Sequence, residues 1–320
     1  MRLGIFTVLF QQLSFEAMLD RVAAYGVQAI ELGVGGYPGN HHCQVGHLLE
    51  SADARARYLD AIHARGLSIS ALCGSCNPLH PDPTQAAEAQ AILRRAIQLA
   101  ALLGVPVVTT LSGIPGGAPG DRTPNWITCP WPPEYLTMLD YQWEGVAIPL
   151  WQELARYAAD QGVCIGIEMH PGMLVYNVET LLRLRESVGP AICCNFDPSH
   201  LFWNNVDPVA AIHALGEAIV HVHGKDCMVN HAHVSIHGCN DGKPYTRVAH
   251  RAWTFRTIGY GHDSKTWKDI ATALRIEGYD GVISIEHEDI LLSPEEGLAK
   301  ALAVLKEAIP SEQPGSAYWI

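Results

Sequence analysis

Short apolar runs alternate along this chain with longer stretches whose apolar residues recur at helical spacing. Eight runs read as strands, at residues 4–9, 28–32, 68–73, 107–111, 163–169, 192–196, 219–223 and 282–286. Most are apolar nearly throughout, as strands covered on both faces are. Amphipathic stretches lie between them at 14–25, 52–65, 83–103, 148–161, 178–188, 208–215, 264–276 and 294–309. Several open at Ser, Asp or Pro and close near Gly, as helix ends do. Strict alternation of eight strand–helix pairs predicts an α/β chain folded as a single (β/α)8 barrel. Each right-handed crossover sets its helix outside a parallel sheet, and eight such units close. A doubly wound open sheet would show a Gly-rich turn after its first strand, whereas that turn reads Phe10-Gln11-Gln12. The barrel is assigned to residues 1–310 and a C-terminal tail to 311–320.

The connections differ at the two ends of this barrel. Helix-to-strand links are short and often pivot on one glycine, as at Gly26, Gly66, Gly104 and Gly162. Strand-to-helix links include two long insertions. One follows the fourth strand (112–146, with Trp126, Trp131 and Trp143) and one follows the seventh (224–263). Both fall at the C-terminal mouth, where barrel enzymes hold their active sites. Loops of that length are usually lids or binding loops; surface elaboration or an oligomer contact is the plainer alternative.

Composition narrows the function. In 320 residues, 48% are hydrophobic and 17% charged, which excludes a disordered chain. Lys and Arg number 21 against 33 Asp and Glu, a net charge of −12, which argues against nucleic acid as a partner. No apolar run is long enough for a membrane span. The start lacks a cationic segment and a small-residue cleavage site, so it reads as a first strand and helix. Nine scattered cysteines fit reduced thiols in a cytoplasmic protein. Cys73 and Cys76 form a CxxC without a second pair, a weak basis for zinc or redox chemistry.

A barrel places functional polar residues at or just past its strand ends, and the last four strands meet that demand. Glu168, Asp197, His223 and Glu286 each follow an apolar residue at such a position. Three carboxylates converging on one small space repel each other and lose hydration, and a divalent cation resolves the conflict. Three oxygen donors with one imidazole suit Mn²⁺, Mg²⁺ or Co²⁺ better than a thiolate-favouring zinc site. His221 shares a strand face with His223 and is the alternative donor; His223 is favoured as the one nearer the mouth. His170 and His200 lie just beyond the strands as substrate contacts, with His200 also placed as an outer contact of the metal site. His287 and Glu288 follow Glu286 and are expected behind it. Lys225 suits either an oxyanion or a loop-locking pair with Asp226. Asn77 and His80, after the third strand, are candidates for substrate hydroxyls. Glu31 is another, or it orients a neighbouring loop. Arg256, before a Gly-rich turn, is a further candidate at the mouth.

At these residues the chain resembles the xylose-isomerase-like barrel superfamily of sugar isomerases and epimerases. The stretches carrying the resemblance are IEMHPG (167–172), NFDPSHLFW (195–203), HVHGKD (221–226), GYGHDSKTW (259–267) and GYDGVISIEHED (278–289). Within the superfamily the pattern is most similar to the D-tagatose 3-epimerase group of ketose 3-epimerases. That resemblance implies one Mn²⁺ held by Glu168, Asp197, His223 and Glu286, with His200 touching a substrate oxygen. It implies proton transfer at a carbon beside a carbonyl of a ketose or keto-sugar, through an enediolate, with Glu168 and Glu286 as acid and base. Two positions depart from the group: Leu174 stands where a Glu is usual and Val229 where an Arg is usual. Recognition of the substrate's far end therefore differs. A metal-dependent lyase or dehydratase on a keto-sugar, keto-glycoside or keto-inositol is the alternative reaction, since elimination begins with the same proton. An endonuclease IV-like activity is disfavoured by the charge, and a non-catalytic sugar-binding protein by the complete donor set. Barrels of this kind commonly pair, and the aromatic-rich first insertion offers a surface for a homo-oligomer.

Overall fold

The computed structural model describes residues 1–312, 315–317 and 319. Eight parallel strands close into a barrel: β1 (Arg2–Phe6), β2 (Ala29–Gly33), β3 (Ser68–Cys73), β4 (Val107–Leu111), β5 (Cys164–Glu168), β6 (Ile192–Phe196), β7 (Ile219–Gly224) and the last, Val282–Ile285. The last strand pairs with both β7 and β1, and β2 pairs with β1, so no edge is left open. Between β7 and the last strand the chain adds an antiparallel hairpin of β8 (Asp226–Val229) and β9 (Trp253–Arg256), which makes the last barrel strand β10.

The outer helices are α1 (Phe15–Ala24), α2 (Val45–Glu50), α3 (Ala52–His63), α4 (Pro83–Leu103), α5 (Glu134–Asp140), α6 (Ile148–Asp160), α7 (Val178–Val188), α8 (Ser199–Phe202), α9 (Pro208–Leu215), α10 (His231–His237), α11 (Ser264–Ile276) and α12 (Pro294–Ala308). Their starts are set by side chains that take otherwise orphaned amides. Ser14 accepts from Ala17, and Asp82 accepts from Thr84 and Gln85 ahead of Pro83. Asn177 and Thr180 form a reciprocal capping box. Helix α4 stops at Gly104, whose φ of +70° suits glycine. The apolar faces of these helices bury Met18, Leu19, Trp151 and Trp267 completely against the strands.

Four departures from the sequence pattern have local causes. The first strand ends at Phe6, where its pairing with β2 ends; a 3-10 turn (Thr7–Phe10) follows, with the Thr7 hydroxyl donating to the Glu31 carbonyl. Helix α2 is six residues long, too short for its Val45, Leu48 and Leu49 to establish a period. The segment after β4 is helical before residue 148: α5 runs through a π-helical stretch (Tyr141–Ala147) into α6. Pro149 cannot donate an N–H, and the wider turns precede it. The hairpin lies in the segment read as a loop after the seventh strand. No helix among the described residues is long and apolar enough to cross a membrane. The tail at 311–320 lies partly outside the described residues.

Candidate active site

Strands β5, β6, β7 and β10 are consecutive around the barrel wall, which brings their C-terminal ends together. Glu168 ends β5, Asp197 follows β6, His223 is next to last in β7 and Glu286 follows β10. One donor atom from each lies within 4.8 Å of the others, and all four are buried or nearly so. His223 Nδ1 sits 3.1 Å from Glu286 Oε2 and 3.4 Å from Glu168 Oε2, so both glutamates converge on that nitrogen. Asp197 Oδ1 accepts the Ser199 amide at 2.8 Å, held there by the turn through Pro198. Its buried Oδ2 makes no well-formed hydrogen bond, although Lys225 Nζ is 3.0 Å away. Four convergent O and N donors fit a hard divalent cation.

The electrostatics match. Burial opposes protonation of His223, yet Glu31, Glu286 and Glu168 outweigh it and lift the imidazole well above its usual range. Burial likewise opposes the Lys225 ammonium, but Asp197, Glu286 and Glu288 hold it charged. Burial would raise Glu286; Lys225 and His223 reverse that and keep it well below the usual carboxylate range. Lys225 pulls Glu288 down, but burial and the neighbouring Glu286 and Asp197 outweigh it, so this carboxyl sits above its usual range. Glu31 is the most deeply buried acid of the group; His221 and His223 overcome its desolvation and lower it to about 2.

The other candidate residues divide into two sets. Lys225 joins the quartet directly, with Nζ 2.7 Å from Glu286 Oε2 and 3.3 Å from Glu288 Oε2. His200 stands behind it, fully buried, with Nε2 3.0 Å from Glu168 Oε1 and 3.3 Å from Asp197 Oδ2. Burial pushes its pKa well below the usual value against the pull of Asp197, so the ring is neutral there. His170 packs on His200, ring centres 4.3 Å apart, and borders the cleft. His221 lies one layer deeper, bonded to Asn195 Oδ1 at 2.9 Å. Asn77, His80 and Arg256 are not brought to the quartet. Asn77 spends its amide on the Ile114 backbone and the Leu79 N–H. His80 accepts the Asp82 amide, and Arg256 bonds Asp289 at 3.0 Å. His287 turns towards Gly297 and away from the quartet. Sequence reasoning missed Asn195, which donates to Glu168 Oε2 at 3.1 Å. Its signal was a polar residue within an apolar strand, Cys193-Cys194-Asn195-Phe196.

Over the quartet lies a cleft of about 210 Å³, walled by Phe6, Tyr37 and His170 and floored by Glu168, His223, Lys225 and Glu286. Past His170 and Glu288 a second hollow of about 410 Å³ is lined by Tyr245, Thr254, Phe255 and Ile290. The hairpin forms that wall. Asp226, adjacent to Lys225, accepts the backbone amides of Gly259, Gly261 and His262, and a side chain at Gly261 would strike the Cys227 carbonyl. Trp203 stacks on Trp253 (4.7 Å, 10°), and Phe255 lies 4.8 Å beneath the Lys225 ammonium. Leu174 is buried, and Val229 pairs with Trp253 in the hairpin; neither position offers a polar contact to the cleft.

Comparison with known proteins gives the same frame. A family described as xylose isomerase-like TIM barrel matches residues 19–308. The uncharacterized protein YfiH of Bacillus subtilis (strain 168) is 40% identical over 312 residues, 97% of this chain and 99% of that one. The structure of the probable 3-DHS dehydratase AsbF, involved in petrobactin synthesis in Bacillus anthracis, superposes with a TM-score of 0.67 at 17% identity, covering 96% and 99% of the chains. A D-tagatose 3-epimerase-like protein superposes with a TM-score of 0.62 at 21% identity, over 96% and 99%. At these identities the two structures speak for the fold alone.

Proposed function

The chain belongs to the xylose isomerase-like TIM barrel family, and from that premise we propose a metal-dependent sugar isomerase or epimerase acting beside the carbonyl of a ketose or keto-sugar. The observation that carries the reading is the convergence of Glu168 and Glu286 on His223 Nδ1 at the floor of the cleft. Glu168, Asp197, His223 and Glu286 would hold the cation, with Mn²⁺ the expected ion and Mg²⁺ or Co²⁺ alternatives. A cation held there would supply Lewis acidity that makes the C–H next to a carbonyl easier to deprotonate. One glutamate takes the proton from that carbon, and the other returns one from the opposite side, which inverts the centre. Lys225 contributes a fixed positive charge beside the developing oxyanion. His200 holds Glu168, and His170 borders the substrate.

The second hollow favours one further reading. A free ketose would leave it empty, whereas a keto-sugar bearing a ring or other bulky substituent would extend across Glu288 onto Tyr245 and Phe255. With such a substrate the same proton removal, followed by departure of a group from the neighbouring carbon, makes the enzyme a lyase.

Solvent deuterium exchange tests both. A panel of ketoses and keto-sugars is incubated in D₂O with the Mn²⁺-loaded protein and followed by NMR. Exchange at a carbon beside the carbonyl is expected, and it should vanish in Glu168→Gln and Glu286→Gln. Wild-type exchange in either variant removes that residue from the acid/base role. An unsaturated or cleaved product selects the lyase.

A further inference from the structure

Beneath the quartet the barrel interior carries a polar layer that the donor set does not use. Glu31 on β2 is fully buried, yet it does not line the cleft, so it is out of a substrate's reach. It does not clamp a loop either, because its side-chain partners stand on strands. Its Oε1 accepts the Thr109 hydroxyl of β4 at 2.8 Å. Its Oε2 lies 3.1 Å from His223 Nε2, across the barrel. The other nitrogen of that ring, Nδ1, faces Glu168 and Glu286. Phe6 stacks on the ring at 5.8 Å and 22°, which restricts its rotation.

An imidazole that gives one nitrogen to a cation must carry its proton on the other, and a carboxylate on that N–H fixes both tautomer and orientation. We propose that Glu31 is the positioning residue of the metal centre: it accepts the His223 Nε2–H, so that the Nδ1 lone pair points between Glu168 and Glu286. This assignment rests on the metal reading above. Thr109 keeps the carboxylate from rotating away, since the oxygen it holds is the one His223 leaves free. The same layer steadies Glu168 by a second route, from His221 through Asn195. A buried acid is costly to keep without such a partner.

The test measures metal binding and not turnover. Protein stripped with EDTA and dialysed is titrated with MnCl₂ in a calorimeter, and the visible spectrum of the Co²⁺ form is recorded. Glu31→Ala should weaken Mn²⁺ binding by about 10–100-fold and shift the Co²⁺ bands. Glu31→Gln, whose amide oxygen still accepts Nε2–H, should recover most of the affinity and the wild-type spectrum. Wild-type affinity and spectrum in Glu31→Ala overturn the assignment, and so does an equal loss in the Gln and Ala variants. Should Glu31→Ala fail to fold, Thr109→Val decides: it frees Glu31 Oε1 and, by the worth of one hydrogen bond, should weaken Mn²⁺ binding about threefold, and unchanged affinity overturns the assignment. Absence of Mn²⁺ binding by the wild type would overturn the metal centre itself, and this assignment with it.

Discussion

Lys225→Met probes the buried charge of the site. The ammonium lies 2.7 Å from Glu286 Oε2, 3.0 Å from Asp197 Oδ2 and 3.3 Å from Glu288 Oε2, and its side chain is only 3% exposed. Met deletes the charge but keeps an unbranched apolar stem against Phe255, so the packing change is small. Removing one partner of a buried ion pair costs about 3–5 kcal/mol, because the remaining charges stand uncompensated. For a chain of this length, roughly 0.7 kcal/mol corresponds to one degree of melting temperature, from about 2.1 cal/mol/K per residue. The variant should therefore melt about 4–7 °C below the wild type in EDTA. A divalent cation restores positive charge to the same carboxylates. Saturating MnCl₂ should then raise the variant's Tm by more than it raises the wild type's, and the variant should bind Mn²⁺ more tightly. Scanning calorimetry of EDTA and MnCl₂ samples reads both effects. Equal melting in EDTA, or equal Mn²⁺ shifts in the two proteins, would refute the reasoning.

Other parts of the molecule yield their own tests. Burial pushes Asp289 up, but the Thr257 and Leu291 amides and Arg256 outweigh it and hold the acid below its usual range. A lowered acid stabilises above its unfolded pKa of about 3.9, and the contribution is lost as pH falls through the folded value. Asp289→Asn should therefore flatten the acid limb of the stability curve below about pH 4, read by urea titration; an unchanged limb would remove Asp289 from it. Gly104→Ala puts a side chain on a residue with φ of +70° and should cost about 1 kcal/mol, a drop of roughly 1–2 °C in Tm. Trp253→Ala should strip amide-exchange protection from β8 and β9 while leaving the barrel strands protected, because Trp253 anchors a small apolar cluster separate from the main core. Cys129, exposed, should react with a thiol reagent before Cys73 and Cys76, whose burial pushes each up to about 12; mass spectrometry of a brief labelling gives the order.

How far the fold could be read from the chain depended on length and burial. Strands β3, β4 and β6 and helices α4, α7, α9 and α11 begin and end where the apolar pattern does. Their ends carry explicit signals such as Asp82-Pro83, Asp207-Pro208 and Asp263. The hairpin was not legible because its strands are four residues each, too short for a period, and their partner lies across an intervening helix. For the site, the strand-end rule brought out Glu168, Asp197, His223, Glu286 and Lys225, which the structure gathers at one mouth. It also brought out Asn77, His80 and Arg256, which the structure holds away from the quartet by bonds to the Ile114 amide, the Asp82 amide and the Asp289 carboxylate. Glu31 stood out as an acid in an apolar strand, but its partner across the barrel is 192 residues away and no local pattern announces it.

The bond from Glu31 to His223 joins the front of the chain to its rear. A gene cut between β4 and β5 would yield one fragment with an acid at its centre and another with an unescorted imidazole. Neither half-barrel repairs that unless its counterpart brings the matching residue. Chimeras that graft the front of one family member onto the rear of another should thus assemble only where the parents agree at these two positions, however well their outer helices match.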